Sequence, residues 1–148
     1  MLLWRLAKNE KVDTVPSTGF VVENMSFEKK QFTIWDSSAT SRMRIFWRPF
    51  FKNAKTVVFV VDSYNIDEID ETREVLNRLI DEDDLKNAIF VICANKQDMK
   101  PSKSLDEISE LIDFPNLKIE KKFLIGTSAV TGEGVNEIRR ILNEHVHL

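Results

Sequence analysis

The stretch Ala88-Ile89-Phe90-Val91-Ile92-Cys93-Ala94-Asn95-Lys96-Gln97-Asp98 decides the fold. Seven apolar residues run without a break and stop abruptly at a polar loop. A membrane span takes about 20 such residues, so this run is far too short to cross a bilayer. It is also too uniformly apolar for a strand with one wet face, which alternates apolar and polar residues. It fits a strand covered on both faces, as in parallel sheets. Upstream, Thr56-Val57-Val58-Phe59-Val60-Val61 reads the same way. Downstream, Phe123-Leu124-Ile125 is expected as a third central strand.

Helical spacing fills the intervals. Asp67 to Asp81 carries Ile69, Val75, Leu76, Leu79 and Ile80 on one stripe. Ser104, with Glu107 three residues on, forms a capping box that starts the next helix. Val135 to His145 is amphipathic. Strands alternating with helices predict an α/β fold of right-handed β-α-β units, a mostly parallel sheet with helices on both faces. Ahead of this region, Met1 to Ala7 has helical spacing. Phe20-Val21-Val22 and Gln31 to Trp35 read as two short strands joined by a polar turn at Glu28-Lys29-Lys30. Arg42 to Lys52 suggests a short helix made irregular by Pro49.

A chain of 148 residues, 43% of them apolar and ten of them Phe, is expected to be one domain with a substantial core. No repeat or linker divides it. Its net charge of −3 gives no basic face for nucleic acid. Cys93, the one cysteine, reads as a small buried hydrophobe in a reducing compartment. Leu2 excludes an N-myristoyl acceptor glycine, and His145-Val146-His147-Leu148 is no prenylation signal, so a soluble, cytoplasmic chain is expected. The four glycines are Gly19, Gly126, Gly132 and Gly134, and none precedes a lysine. They fit neither the Gly-x-x-x-x-Gly-Lys phosphate cradle nor Gly-x-Gly-x-x-Gly. The acidic run Asp81 to Asp84 lacks the glycine and spaced glutamate of a Ca²⁺ loop and reads as a solvated helix end.

Ligands of parallel sheets bind beyond the carboxyl ends of the strands. There, Asn95-Lys96-Gln97-Asp98 offers a carboxylate whose two oxygens match the paired N–H donors on the edge of guanine, which adenine cannot present. The lysine stem can lie over a flat base, and the asparagine amide can tie the loop to its neighbours. A polar turn with a helix cap is the plainer reading of the same residues. After the next strand, Thr127-Ser128-Ala129-Val130 could offer backbone amides to a base carbonyl.

Taken in order, Trp35-Asp36, Val60-Val61-Asp62-Ser63, Asn95-Lys96-Gln97-Asp98 and Ser128-Ala129 resemble the Arf (ADP-ribosylation-factor) branch of the Ras-like small GTPases. Pro16-Ser17-Thr18-Gly19-Phe20 is similar to that family's first switch, and Phe46-Trp47-Arg48-Pro49-Phe50-Phe51 to its second-switch helix. The resemblance covers Leu2 to Leu142. It implies a Ras-like fold and a GTP/GDP switch in vesicle and membrane traffic, cytoplasmic and at membrane surfaces by peripheral association. Asn95, Lys96 and Asp98 would read guanine with help from Ser128, Ala129 and Val130. Ser17 and Asp36 would attend Mg²⁺, and Phe20, Trp35 and Phe50 fall on an aromatic face for protein effectors or regulators. Core packing is the other reading of those three aromatics.

The sequence also departs from the family. Met1 aligns just past the family's phosphate-loop Lys-Thr pair, so the first strand and the phosphate loop are expected to be missing. Asp36-Ser37-Ser38-Ala39-Thr40 stands where the family has Asp-x-x-Gly-Gln. Ala39 lacks glycine's freedom, and Thr40 is too short to orient an attacking water as the glutamine does. Without a cradle lysine, Ser17 reads as an ordinary loop serine. Hydrolysis is therefore not expected of this chain as written, and a nucleotide-free pseudo-GTPase interaction module is the alternative to the switch.

Overall fold

The computed structural model describes residues 2–8, 20–37 and 44–146. In chain order the elements are α1 (Leu2–Lys8), β1 (Phe20–Phe27), β2 (Lys30–Ser37), β3 (Thr56–Asp62), α2 (Ile69–Ile80), β4 (Ile89–Asn95), α3 (Leu105–Leu111), β5 (Lys122–Gly126) and α4 (Val135–His145). No helix among the described residues is long and apolar enough to cross a membrane.

β4 organises the core. Its alternate side chains enter different clusters because successive residues of a strand point to opposite faces. Phe90, Ile92 and Ala94 pack with Val75, Leu76 and Leu79 of α2 and Ile108 of α3. Ile89, Val91 and Cys93 pack with Leu6 of α1 and Ile138, Ile141 and Leu142 of α4. Helices thus cover both faces, as the unbroken apolar run predicts, and each such side chain contributes about 1.5–3 kcal/mol when fully buried. Burial pushes the Cys93 thiol up to about 12, which leaves it protonated and inert. The capping box of α3 forms as expected: Ser104 Oγ accepts from the Glu107 N–H (3.2 Å) and Glu107 Oε1 from the Ser104 N–H (3.1 Å).

The strands of the described residues form two sheets. β3, β4 and β5 are parallel, in that order, while β1 and β2 make a separate antiparallel hairpin. Two expectations are corrected here. Among the described residues β5 is an edge strand, not a central one. β3 pairs only with β4 among the described residues, and Val60 remains 47% exposed rather than covered. Hydrophobic pattern reports burial under helices and says nothing about how many strands lie alongside. The hairpin strands are also longer than expected, eight residues each. Polar Glu23, Asn24 and Ser26 break the apolar pattern of β1, yet they lie in register with Ile34, Thr33 and Gln31. The turn shrinks to Glu28-Lys29, with Glu28 in the left-handed region at φ 54°. Lys30 is already in β2, and its Nζ donates to the Asn143 and Val146 carbonyls at the end of α4. Of the expected 42–52 helix, residues 42 and 43 lie outside the described residues, Arg44 is helical, and a short 3-10 turn follows at Arg48–Phe50 with Pro49 inside it.

The outer edge of β3 carries no charge from Thr56 to Val61, whereas natural edges are blunted by lysine, proline or a bulge. The chain is expected to self-associate through this edge, and Val60→Lys to return it toward monomer. Sedimentation velocity checks this; identical profiles for the two proteins would contradict it.

Candidate functional site at the carboxyl ends of the parallel strands

Register brings the loops together. Asp62 ends β3 opposite Asn95, which ends β4, and Ala94 is opposite Gly126 at the end of β5. Asn95 is the hub. Its Oδ1 accepts from Thr127 Oγ1 (3.0 Å) and from the Ala129 N–H (3.3 Å), so the side-chain amide does tie two loops together. The Gln97 N–H donates to the Thr127 carbonyl at 3.1 Å, a backbone tie across the same gap. Between Asn95 and Gln97, Lys96 adopts φ 68°, rare for a residue with a Cβ and held here by these flanking bonds.

Asp98 is exposed, and its Oδ1 accepts from Ser128 Oγ at 2.8 Å. The same hydroxyl accepts from the Thr131 N–H at 3.0 Å, which fixes its hydrogen toward the carboxylate. Thr127, Ser128 and Ala129 are buried, while Val130 is exposed. Ser128 therefore acts through Asp98, and the Ala129 amide is engaged by Asn95. A carboxylate held this way keeps acceptor capacity for two adjacent N–H donors.

The Lys96 ammonium meets Asp62 Oδ2 at 2.7 Å. Burial alone would raise the Asp62 carboxyl. The bonds from Lys96 and from the Asn65 and Tyr64 amides outweigh that and hold it below the usual carboxylate value. A depressed folded-state pKa stabilises the fold above the unfolded value of about 3.8, and that contribution disappears as pH falls through the lower folded value. In Asp62→Asn the acid limb of the stability curve below pH ~4 should accordingly be shallower than in the parent. Denaturant midpoints taken between pH 2.5 and 5 check this, and parallel curves would refute it.

The far side of the site is clamped from α1. Arg5 Nε donates to the Ala129 carbonyl (3.0 Å) and Arg5 Nη2 to the Val130 carbonyl (2.5 Å). Arg139 of α4 in turn donates to the Leu6 carbonyl from Nε (3.0 Å) and Nη2 (2.6 Å). These carbonyls belong to the end of a short helix, where backbone acceptors lack partners within the helix. Arg5 was not singled out by the sequence, and Asp62 and Thr127 stood there only within longer stretches, with no side-chain role assigned. Asp62 could have been found, because it follows an apolar strand as Asn95 does. Arg5 could not, since a basic residue in a first helix has many possible acceptors.

The structure also brings the three aromatics together. The Phe20 and Phe50 ring centroids lie 4.6 Å apart, and those of Trp35 and Phe50 4.9 Å apart. Trp35 is 52% exposed, so the group is not plain core. Trp47 Nε1 donates to Ser37 Oγ beside it at 2.6 Å. Asp36 stands on β2 opposite Val21, and loss of solvent around its carboxyl raises it above the ordinary value. Among the described residues, no hydrogen bond or ion pair joins it to the 95–98 loop. Ser17, Ala39 and Thr40 lie outside the described residues.

Comparison with known proteins gives two findings. The sequence model of the ADP-ribosylation factor family matches residues 1–146. Among solved structures, the chain is similar to the Arl6 BBS3 small GTPase from Trypanosoma brucei, solved with the nucleotide analogue GppNp bound. The TM-score is 0.87 at 21% identity, over 97% of this chain and 87% of that one. At that identity the likeness establishes the shared fold: α/β and Ras-like.

Proposed function

Because the chain belongs to the ADP-ribosylation factor family of small GTPases, we propose that it reads the guanine of GTP or GDP and presents an aromatic face to protein effectors or regulators. The setting is vesicle and membrane traffic, in the cytoplasm and against membrane surfaces. The observation that carries this is the preassembled network Asn95–Thr127–Ala129 with Ser128–Asp98. It holds an exposed carboxylate where a base edge can reach it, and such preorganisation lowers the cost of binding.

The donor set suits the base better than the phosphates. Asp98 would accept from the guanine edge, and Lys96 would lie over its plane. For the phosphates, these 148 residues contain no glycine followed by lysine, the pairing a phosphate cradle requires. Mg²⁺ would be met by the Ser17 hydroxyl and Asp36, and its role would be to neutralise phosphate charge. Thr40 in place of the family's glutamine argues against hydrolysis. The experiment is a titration of guanosine, GDP and GTP, with adenosine as control. Weak binding, nearly independent of phosphate number and better for guanosine than adenosine, is the expected result. Tight, Mg²⁺-dependent GTP binding would show that the phosphates are held after all.

The residues Ala39-Thr40 favour a second reading, the nucleotide-free interaction module. It expects no guanosine binding at all, with partner capture that depends on Phe50.

A further inference from the structure

The opposite pole of the parallel sheet holds a cavity of about 250 Å³. Strand register builds its rim. Lys55 immediately precedes β3, Lys121 immediately precedes β5, and the two flank the start of β4. There the Ile89 N–H donates to the Lys55 carbonyl and the Phe90 N–H to the Lys121 carbonyl, each at 3.0 Å. Lys86 lies three residues ahead of β4, and Asn87, Glu120 and His145 complete the polar lining. Three parallel strands, each about 4.8 Å from the next, therefore bring three lysines to one concavity.

Among the described residues, none of these three ammoniums has an ion pair or a side-chain hydrogen bond. Neighbouring Lys122 differs. Its Nζ donates to the carbonyls of Phe114 (2.7 Å), Pro115 (3.1 Å) and Leu117 (3.0 Å) and lies 4.9 Å from the Phe114 ring. Elsewhere cations have carboxylate partners, as in Arg78–Glu74, Arg140–Glu144 and Lys96–Asp62. Three lysines facing a single acid, Glu120, concentrate positive potential in a chain whose net charge is −3.

We propose that this cavity binds a multiply charged, phosphate-bearing anion. Lysine acts toward phosphate as a point charge with three donors. The Asn87 amide adds donors beside the ammoniums, and His145 adds an imidazole whose Nε2 lies 3.9 Å from the Glu144 carboxylate. The site is separate from the 95–98 loop. The seven residues of β4 put about 20 Å between the two ends of the sheet.

The test is titration of the whole chain with inorganic pyrophosphate at low salt, followed by calorimetry and amide NMR. Saturable shifts are expected at Asn87 and His145, with none around Lys100 in the loop after β4. Lys55→Gln and Lys121→Gln should each weaken binding about tenfold. Glu120→Gln should tighten it several-fold, a gain that a misfolded variant would not show. Lys100→Gln should change nothing. Phosphatidylcholine vesicles with and without phosphatidylinositol bisphosphate separate the two sources of the anion. Pelleting that pyrophosphate competes away assigns the site to a lipid headgroup, and pyrophosphate binding without pelleting assigns it to a soluble anion. Absence of binding, or shifts spread equally over exposed lysines and indifferent to Lys55 and Lys121, would overturn the proposal.

Discussion

Gly134→Ala is expected to lower stability by about 3–5 kcal/mol, a large part of the ~5–15 kcal/mol that holds a domain together. Gly134 has φ 77°, where an added Cβ is itself unfavourable, by about 1–2 kcal/mol. The larger part is collision. A Cβ there would sit 2.3 Å from the Gly126 carbonyl oxygen and 2.9 Å from Thr127 Cγ2. The first of these is backbone at the end of β5 and cannot rotate away. Relief requires α4 to lift off the sheet, which would open Ile138, Ile141 and Leu142 of the core. Gly132 is the matched control, with φ 86° but only the Arg5 side chain nearby, at 3.6 Å. Gly132→Ala should cost about 1 kcal/mol, the conformational part alone. Urea titration of both variants checks this, and equal losses would mean that the close approach at Gly134 does not matter.

Asp98→Ala is expected to erase the preference for guanosine over adenosine. A charge-assisted pair of hydrogen bonds is worth about 2–4 kcal/mol, or roughly 30- to 1000-fold in affinity. Ser128→Ala should cost less, about fivefold, because the carboxylate survives and loses only the hydroxyl that anchors it. Stability should change little in Asp98→Ala, since that side chain is exposed. Ligand-observed NMR with the two nucleosides checks the series. A preference that persists in Asp98→Ala would assign the reading of the base to other groups.

Most of the secondary structure was legible. β4, α4 and the capped start of α3 fell within a residue of their expected places, because periodicity and capping are local properties of the chain. The site was legible in part. The Asn95–Asp98 loop stood out because polar residues follow so abruptly on an apolar strand. The division of labour inside it did not: Ser128 orients Asp98, and Asn95 engages the Ala129 amide instead of leaving it open. Both facts depend on the distance between residues some thirty positions apart.

By itself, then, the sequence determined the α/β alternation, the strand covered on both faces, the position of the polar loops and that no glycine within these 148 residues is followed by lysine. Each follows from residue types and short spacings, which set burial and backbone preference wherever the chain goes. Only the tertiary structure decided that β3 and β5 are the outer strands of the parallel sheet among the described residues, that Lys96 is matched to Asp62, that Arg5 holds Ala129 and Val130, and that Lys55, Lys86 and Lys121 share one cavity. An edge, an ion pair or a rim of lysines is a relation between distant segments. Many partners satisfy the same lysine or the same apolar strand equally well locally, and the register of three parallel strands selects among them.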